Sequence, residues 1–104
     1  MVIRLLVAAA VAVLGLPAAV STAHADAIDE QFLAALRSAG ITDESTAHVI
    51  DAGHFVCVKL DNGATPSQVE SDVKASSNMP DYHAGFFVGA SVSAYCPRHQ
   101  SELG

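Results

Sequence analysis

Apolar and polar positions along the chain fall into one unbroken apolar block followed by four stretches of helical period. The block is "LLVAAAVAVLGL", Leu5 to Leu16, broken by Pro17. Beyond it, "DAIDEQFLAALRSAGI" sets Ile28, Phe32, Ala35 and Leu36 on one stripe, with acidic residues in its first turn. Gly40 fits a left-handed stop there, with Ile41 folding back over it. Thr42 is expected to cap a second helix through "DESTAHVIDAGHFVCVKLDN", whose Val49, Ile50, Gly53, Val56, Cys57 and Leu60 share a face, and Gly63 ends it. "TPSQ" then spells a capping box, with Thr65 as cap, Pro66 at the first helical position and Gln68 three residues on. This third helix carries Val69 and Val73 and runs out at Ser76-Ser77-Asn78. Pro80 opens a fourth, "PDYHAGFFVGASVSAYC", which Pro97 stops.

No useful length of β-branched residues alternates with polar ones. "FVCVKL" resembles a strand only when cut away from the helical pattern of residues 47–53 that precedes it. The pattern predicts an all-α fold, a small four-helix domain. In the fourth helix Tyr82, Gly85, Gly89, Val92, Ser93 and Cys96 fall on one face. Glycine inside a helix costs about 1 kcal/mol relative to alanine. Gly53, Gly85 and Gly89 are therefore expected at a close helix contact, where Gly89→Leu would overpack.

The apolar block changes the picture of where the chain works. Met1 to Arg4 places one positive charge before it, and Ala23-His24-Ala25 supplies small residues at both ends of a cleavage signature, the order of a secretory signal peptide. Twelve apolar residues are too few to cross a bilayer, which needs about 20. Cleavage is expected after Ala25, giving a signal peptide 1–25 and a secreted helical domain 26–104 with no stable membrane insertion. Removing 25 of the 104 residues leaves 79, one domain. A domain of that size buries only about 60% of its unfolded surface. In it Arg37, Lys59, Lys74 and Arg98 face eleven acidic residues, a net charge of −7. That balance disfavours nucleic acid and anionic membranes, which reward clustered Lys and Arg; solubility is its plainer meaning.

The chain's two cysteines, Cys57 and Cys96, permit one pairing. In an oxidising compartment a short chain with an even cysteine count forms a disulfide. Closing a loop of about 40 residues is credited with roughly 4 kcal/mol, a large share of a small domain's stability of about 5–15 kcal/mol. A catalytic thiolate would need a base and positive surroundings, whereas Cys57 sits between two valines in an acidic chain. A metal site would need more ligands at suitable spacing.

The order "FLAALRSAGI", "HFVC", "NGATPSQV" and "FFVGASVSAYCP" resembles domain-of-unknown-function family 732, small secreted proteins found mainly in mycobacteria and their relatives. The resemblance covers residues 29–97 and implies a compact helical domain with a Cys57–Cys96 bond. It implies no catalytic residues, since the family has no assigned activity. The chain departs from the pattern at Met79, where a better helix cap is expected before Pro80.

Little chemistry remains. His48, Asp51 and His54 form a loose spiral on the second helix, which with His83 would be the nearest approach to a metal site; ligands paired four residues apart are missing, so no metal and no cofactor is expected. No serine sits in a nucleophile-elbow pattern, and the chain is not expected to be an enzyme. Phe55 and Phe87 point away from the glycine–cysteine faces. Either the first and third helices cover them, or they form an apolar patch contacting a partner, another envelope or extracellular protein. The reading that follows is a protein-interaction module using Phe55 or Phe87, with a carrier of a small apolar ligand between its helices as the alternative, because helices so rich in Ala and Gly are expected to pack closely and leave little cavity. An exposed patch favours the first, and an apolar cavity of about 300 Å³ or more favours the second. The cysteine pairing is directly testable: intact mass without reductant is expected about 2 Da below the dithiol, since bonding removes two hydrogens. Two alkylatable thiols in the native protein would overturn it.

Overall fold

The computed structural model describes residues 23–42 and 45–104. The apolar block of the expected signal peptide lies outside the described residues. Among those described there are four α-helices, one 3-10 segment and no strand: α1 (23–38), α2 (Thr46–Asp61), α3 (Pro66–Ala75), α4 (Asp81–Tyr95) and the C-terminal 3-10 turn Pro97–Leu103. No described helix is long and apolar enough to cross a membrane.

Helix ends are fixed by local chemistry that the sequence announces. Gly40 adopts φ +82°, its N–H donates to the Arg37 carbonyl at 3.0 Å, and the Ile41 N–H donates to Leu36 at 2.9 Å. This double bond pattern is a Schellman stop, and Ile41 is buried beside it. Helix α2 ends the same way: Gly63 has φ +95°, with its N–H on Leu60 at 3.0 Å and the Ala64 N–H on Lys59 at 3.1 Å. The Thr65–Gln68 capping box forms in both directions, at 3.2 and 2.8 Å. The expected start of α2 is corrected. Ser45, not Thr42, is the cap; its backbone is extended and its hydroxyl accepts from the His48 N–H at 3.4 Å. Ser45 offers the same capping oxygen one turn nearer to Val49, the first buried residue of α2.

The core gathers Phe32, Leu33 and Leu36 of α1, Val49, Val56, Cys57 and Leu60 of α2, Val69 of α3, and Phe87, Val88 and Val92 of α4. Cys57 and Cys96 are bonded across 39 positions with their Cα atoms 5.9 Å apart, and both are buried. The aromatic centre is Phe32, whose ring lies edge-on to Phe87 (centroids 5.8 Å apart) and to Tyr95 (5.1 Å). Tyr95 also donates its hydroxyl to Asp29 at 2.6 Å, tying the end of α4 to α1. Burial first, then that carboxylate, push the phenol well above its ordinary range.

The glycine face expected on α4 is corrected too. Its buried side is Ala84, Phe87, Val88, Ser91 and Val92. These are spaced i, i+3, i+4, i+7 and i+8, and burying Phe87 and Val88 removes far more apolar area from water than burying glycines does. Tyr82 is exposed, and nothing lies within 4 Å of where a Cβ on Gly89 would stand. Of the three glycines expected at a close contact, Gly85 meets only the Glu70 carboxylate of α3, whose Oε1 lies 3.3 Å from where its Cβ would stand, while the contact at Gly53 is tighter and aromatic. A Cβ there would stand 2.7 Å from Phe32 Cζ and 3.0 Å from Tyr95 Cε2. The two rings lie directly on the glycine backbone. Buried Ser91 donates its hydroxyl to the Phe87 carbonyl at 2.7 Å, so its burial leaves no unmet polar group.

The two glycines therefore respond in opposite directions. Gly53→Ala is expected to destabilise by about 1–3 kcal/mol, because the rings it would displace are themselves packed. Gly89→Ala is expected to stabilise by up to about 1 kcal/mol. Urea unfolding of both variants checks this; equal midpoints would refute the assigned packing.

Candidate functional site

A cleft of about 430 Å³ opens between α2 and α3. Val49, Ala52 and Val56 form one wall, and Val69 and Val73 the other. Met79, in the loop after α3, and Phe87 from α4 contribute further lining. Phe87, Val56 and Val69 are buried and make its base, whereas Phe55 is 56% exposed and stands at its rim. Helical spacing explains the arrangement. Residues 49, 52 and 56 share one side of α2, residues 69 and 73 one side of α3, and the capping box sets where α3 begins.

The polar lining consists of His48, Lys59, Asp72, Ser76 and Ser77, and the half-buried Ser77 hydroxyl already donates to the Val73 carbonyl at 2.6 Å. Lys59 crosses the mouth, its Nζ 2.8 Å from Asp72 Oδ2 and 5.0 Å from the Phe55 ring centroid. One ammonium thus binds a carboxylate of α3 and the aromatic face of α2 at once. His48 lies at the opposite end of the lining. The rest of the lining, Val49, Ala52, Phe55, Val56, Val69, Val73, Ala75, Met79 and Phe87, is apolar, so the cleft can hold an apolar body.

The sequence-singled residues separate accordingly. Phe55 lines the cleft and is exposed. Phe87 also lines it but is 2% exposed, so it is no surface contact; α1 covers it through Phe32, and its role at the cleft is to form the base. His48, Asp51 and His54 are not gathered into one group. His48 faces the cleft, Asp51 is exposed, and the His54 ring stacks on Tyr95 with centroids 3.9 Å apart. His83 packs beside Tyr82 at 4.4 Å. Among the described residues no three acidic, histidine or cysteine side chains are arranged to hold a metal ion.

One cluster escaped the sequence reading. Arg98 donates to both Asp61 oxygens at 2.7 Å, and His99 Nε2 lies 2.7 Å from Asp61 Oδ1 while its Nδ1 contacts Glu102. The two bases hold the Asp61 carboxyl below its usual range, Arg98 most strongly. Asp61, then Glu102, raise the His99 imidazole above its ordinary value. The signal was present: Asp61 lies one helical turn beyond Cys57, and Arg98 and His99 follow Cys96 after one intervening residue, Pro97. Pairing the cysteines therefore brings these side chains together.

The family model described as "Protein of unknown function (DUF732)" matches residues 28–98. Uncharacterized protein Rv1271c of Mycobacterium tuberculosis (strain ATCC 25618 / H37Rv) is 34% identical over 93 residues, 88% of this chain and 82% of its own. Uncharacterized protein Mb1323c of Mycobacterium bovis (strain ATCC BAA-935 / AF2122/97) is 38% identical over 78 residues, 75% of this chain and 70% of its own. No solved structure matches.

The two phenylalanines give a stability test of this assignment. Phe87→Ala is expected to cost about 3–5 kcal/mol through the cavity it leaves. Phe55→Ala is expected to cost less than about 1 kcal/mol, as an exposed change. Similar costs measured by chemical unfolding would contradict the division into base and rim.

Proposed function

Because the chain belongs to the DUF732 family, whose description assigns no activity, we propose from its geometry that it is a secreted, non-catalytic binding protein whose α2–α3 cleft takes a small apolar molecule. The observation that carries this reading is the cleft itself, about 430 Å³, apolar at its base and walls. Its volume lies in the range of about 300–1,000 Å³ typical of small-molecule sites. Phe55 would close over the ligand from the rim, and Lys59 and Asp72 would meet any polar end. Secretion is supported by the charged start, apolar block and small-residue ending of the N-terminus, and by the buried disulfide, which suits an oxidising compartment.

A second reading, a protein-interaction module, draws support from Phe55 and Val58. They are 56% and 48% exposed and lie one turn apart on α2. An exposed aromatic anchor of this kind can carry about 2 kcal/mol or more of a protein contact.

Titration with the neutral dye N-phenyl-1-naphthylamine tests the first reading. Saturable binding at one site is expected, weakened at least tenfold by Ala52→Phe, which fills the cleft from a half-buried position on its α2 wall. Circular dichroism must show both proteins folded. No saturable binding, or equal binding by the filled variant, would reject the cleft as a ligand site. Capture of an envelope or extracellular protein that is lost in Phe55→Ser and kept in Ala52→Phe would select the second reading.

A further inference from the structure

The C-terminal turn has an unusual means of attachment. None of its seven residues, Pro97–Leu103, is fully buried, and its large apolar side chain, Leu103, is 38% exposed. Its base is fixed by the Cys96 end of the disulfide and by the His99 N–H donating to the Cys96 carbonyl at 2.9 Å. Beyond that base it is held by side-chain polar contacts: Arg98 and His99 on Asp61 of α2, and Gln100 Nε2 on Ser93 Oγ of α4 at 3.1 Å. Its last residue, Leu103, helps line a second concavity of about 420 Å³ between α1 and α4, together with Phe32, Ala35, Phe86, Gly89 and Ala90.

The imidazole is the one member of this clamp that faces carboxylates on both sides. Its side chain is 15% exposed, with Asp61 on Nε2 and Glu102 on Nδ1. An imidazolium donates from both nitrogens, but a neutral imidazole donates from only one and turns a lone pair toward the other carboxylate. We propose that Pro97–Leu103 is a proton-controlled strap, closed beside the α1–α4 groove while His99 carries both protons and released when it loses one. Release would swing Leu103 away about Cys96 and widen the groove toward Phe86 and Ala90.

The surroundings leave few other groups to titrate in its place. The strap itself contributes Arg98 and Glu102, and α2 contributes Asp61. The other titratable residues of α4, Asp81, Tyr82 and His83, lie in its first turn, at the end away from Cys96, and its Tyr95 is bound to Asp29. On the α1 side, the groove is lined by Gln31, Phe32 and Ala35, none of which titrates. The direction follows from linkage. His99 is raised from 6.5, so its contribution is complete below about that pH and fades as pH rises through the raised value. Asp61 is lowered from 3.8, so its contribution is present above that pH and is lost as pH falls through the lowered value. The strap is closed in mildly acidic solution and opens toward the alkaline side.

The test is an NMR titration of the ¹⁵N-labelled, oxidised protein from about pH 5 to 9, following the His99 ring and the heteronuclear NOEs of Arg98 to Leu103. The NOEs are expected to fall with the same midpoint as the ring, above 6.5, and the Phe86 and Ala90 signals to shift with them. His99→Gln is expected to abolish the transition, and Asp61→Asn to lower its midpoint. Two results would overturn the strap: NOEs that stay constant while the His99 ring titrates, or an unchanged transition in His99→Gln.

Discussion

The bond between Cys57 and Cys96 is the constraint on which most of the molecule depends. It joins α2, one turn before the end of that helix, to the residue that caps α4, and the two cysteines are 39 positions apart. A chain of this size has a small core, and the largest removable share of its unfolded-state entropy lies in that loop. Both sulfurs sit within the apolar cluster, so the bond and the packing act on the same pair of helices. One turn before Cys57, Gly53 gives up its side chain so that Phe32 and Tyr95 can lie on α2. One turn after it, Asp61 receives Arg98 and His99. The helix thus meets α1 on one side of the bond and the C-terminal turn on the other.

The two concavities are governed by different physics. The α2–α3 cleft is bounded by core residues at its base and bridged at its mouth by the single Lys59–Asp72 pair, so its shape follows from helix packing. An exposed ion pair of this kind is worth about 0–1 kcal/mol; it marks the entrance without determining the fold. The α1–α4 groove instead borders a turn held by hydrogen bonds and charge, whose strength depends on protonation. Packing responds weakly to pH, whereas an imidazole between two carboxylates responds directly. A shape set by burial and an edge set by charge can therefore change independently.

Local signals in the chain determined a large part of this structure by themselves. Gly40 and Gly63 set two Schellman stops because a left-handed residue without a Cβ is needed there. Thr65, Pro66 and Gln68 set the start of α3, and the alternative to helix at "FVCVKL" was excluded by its flanking period. The cysteine pairing followed from their number. These features are encoded by neighbours within about one helical turn, or by a count that leaves one choice, which is why they can be read without coordinates.

What required the tertiary structure was the side each helix turns toward its neighbours. Four of the six residues expected on the buried face of α4, Tyr82, Gly85, Gly89 and Ser93, are not buried, because the arc carrying Phe87 and Val88 buries more apolar surface. Phe55 and Phe87 looked equivalent on their wheels, yet one is a rim and the other a base. The difference is that Phe32 of α1 covers only Phe87. Ser45 displaced Thr42 as a cap because two hydroxyls competed for one role, and the position of Val49 in the core chose between them. The Asp61–His99 contact was implicit in the disulfide, but only the direction of the turn after Pro97 brought the side chains into reach. A sequence specifies the period of a helix and its ends through bonds within one turn; which arc is buried is decided by the combined shape of all the elements that meet it.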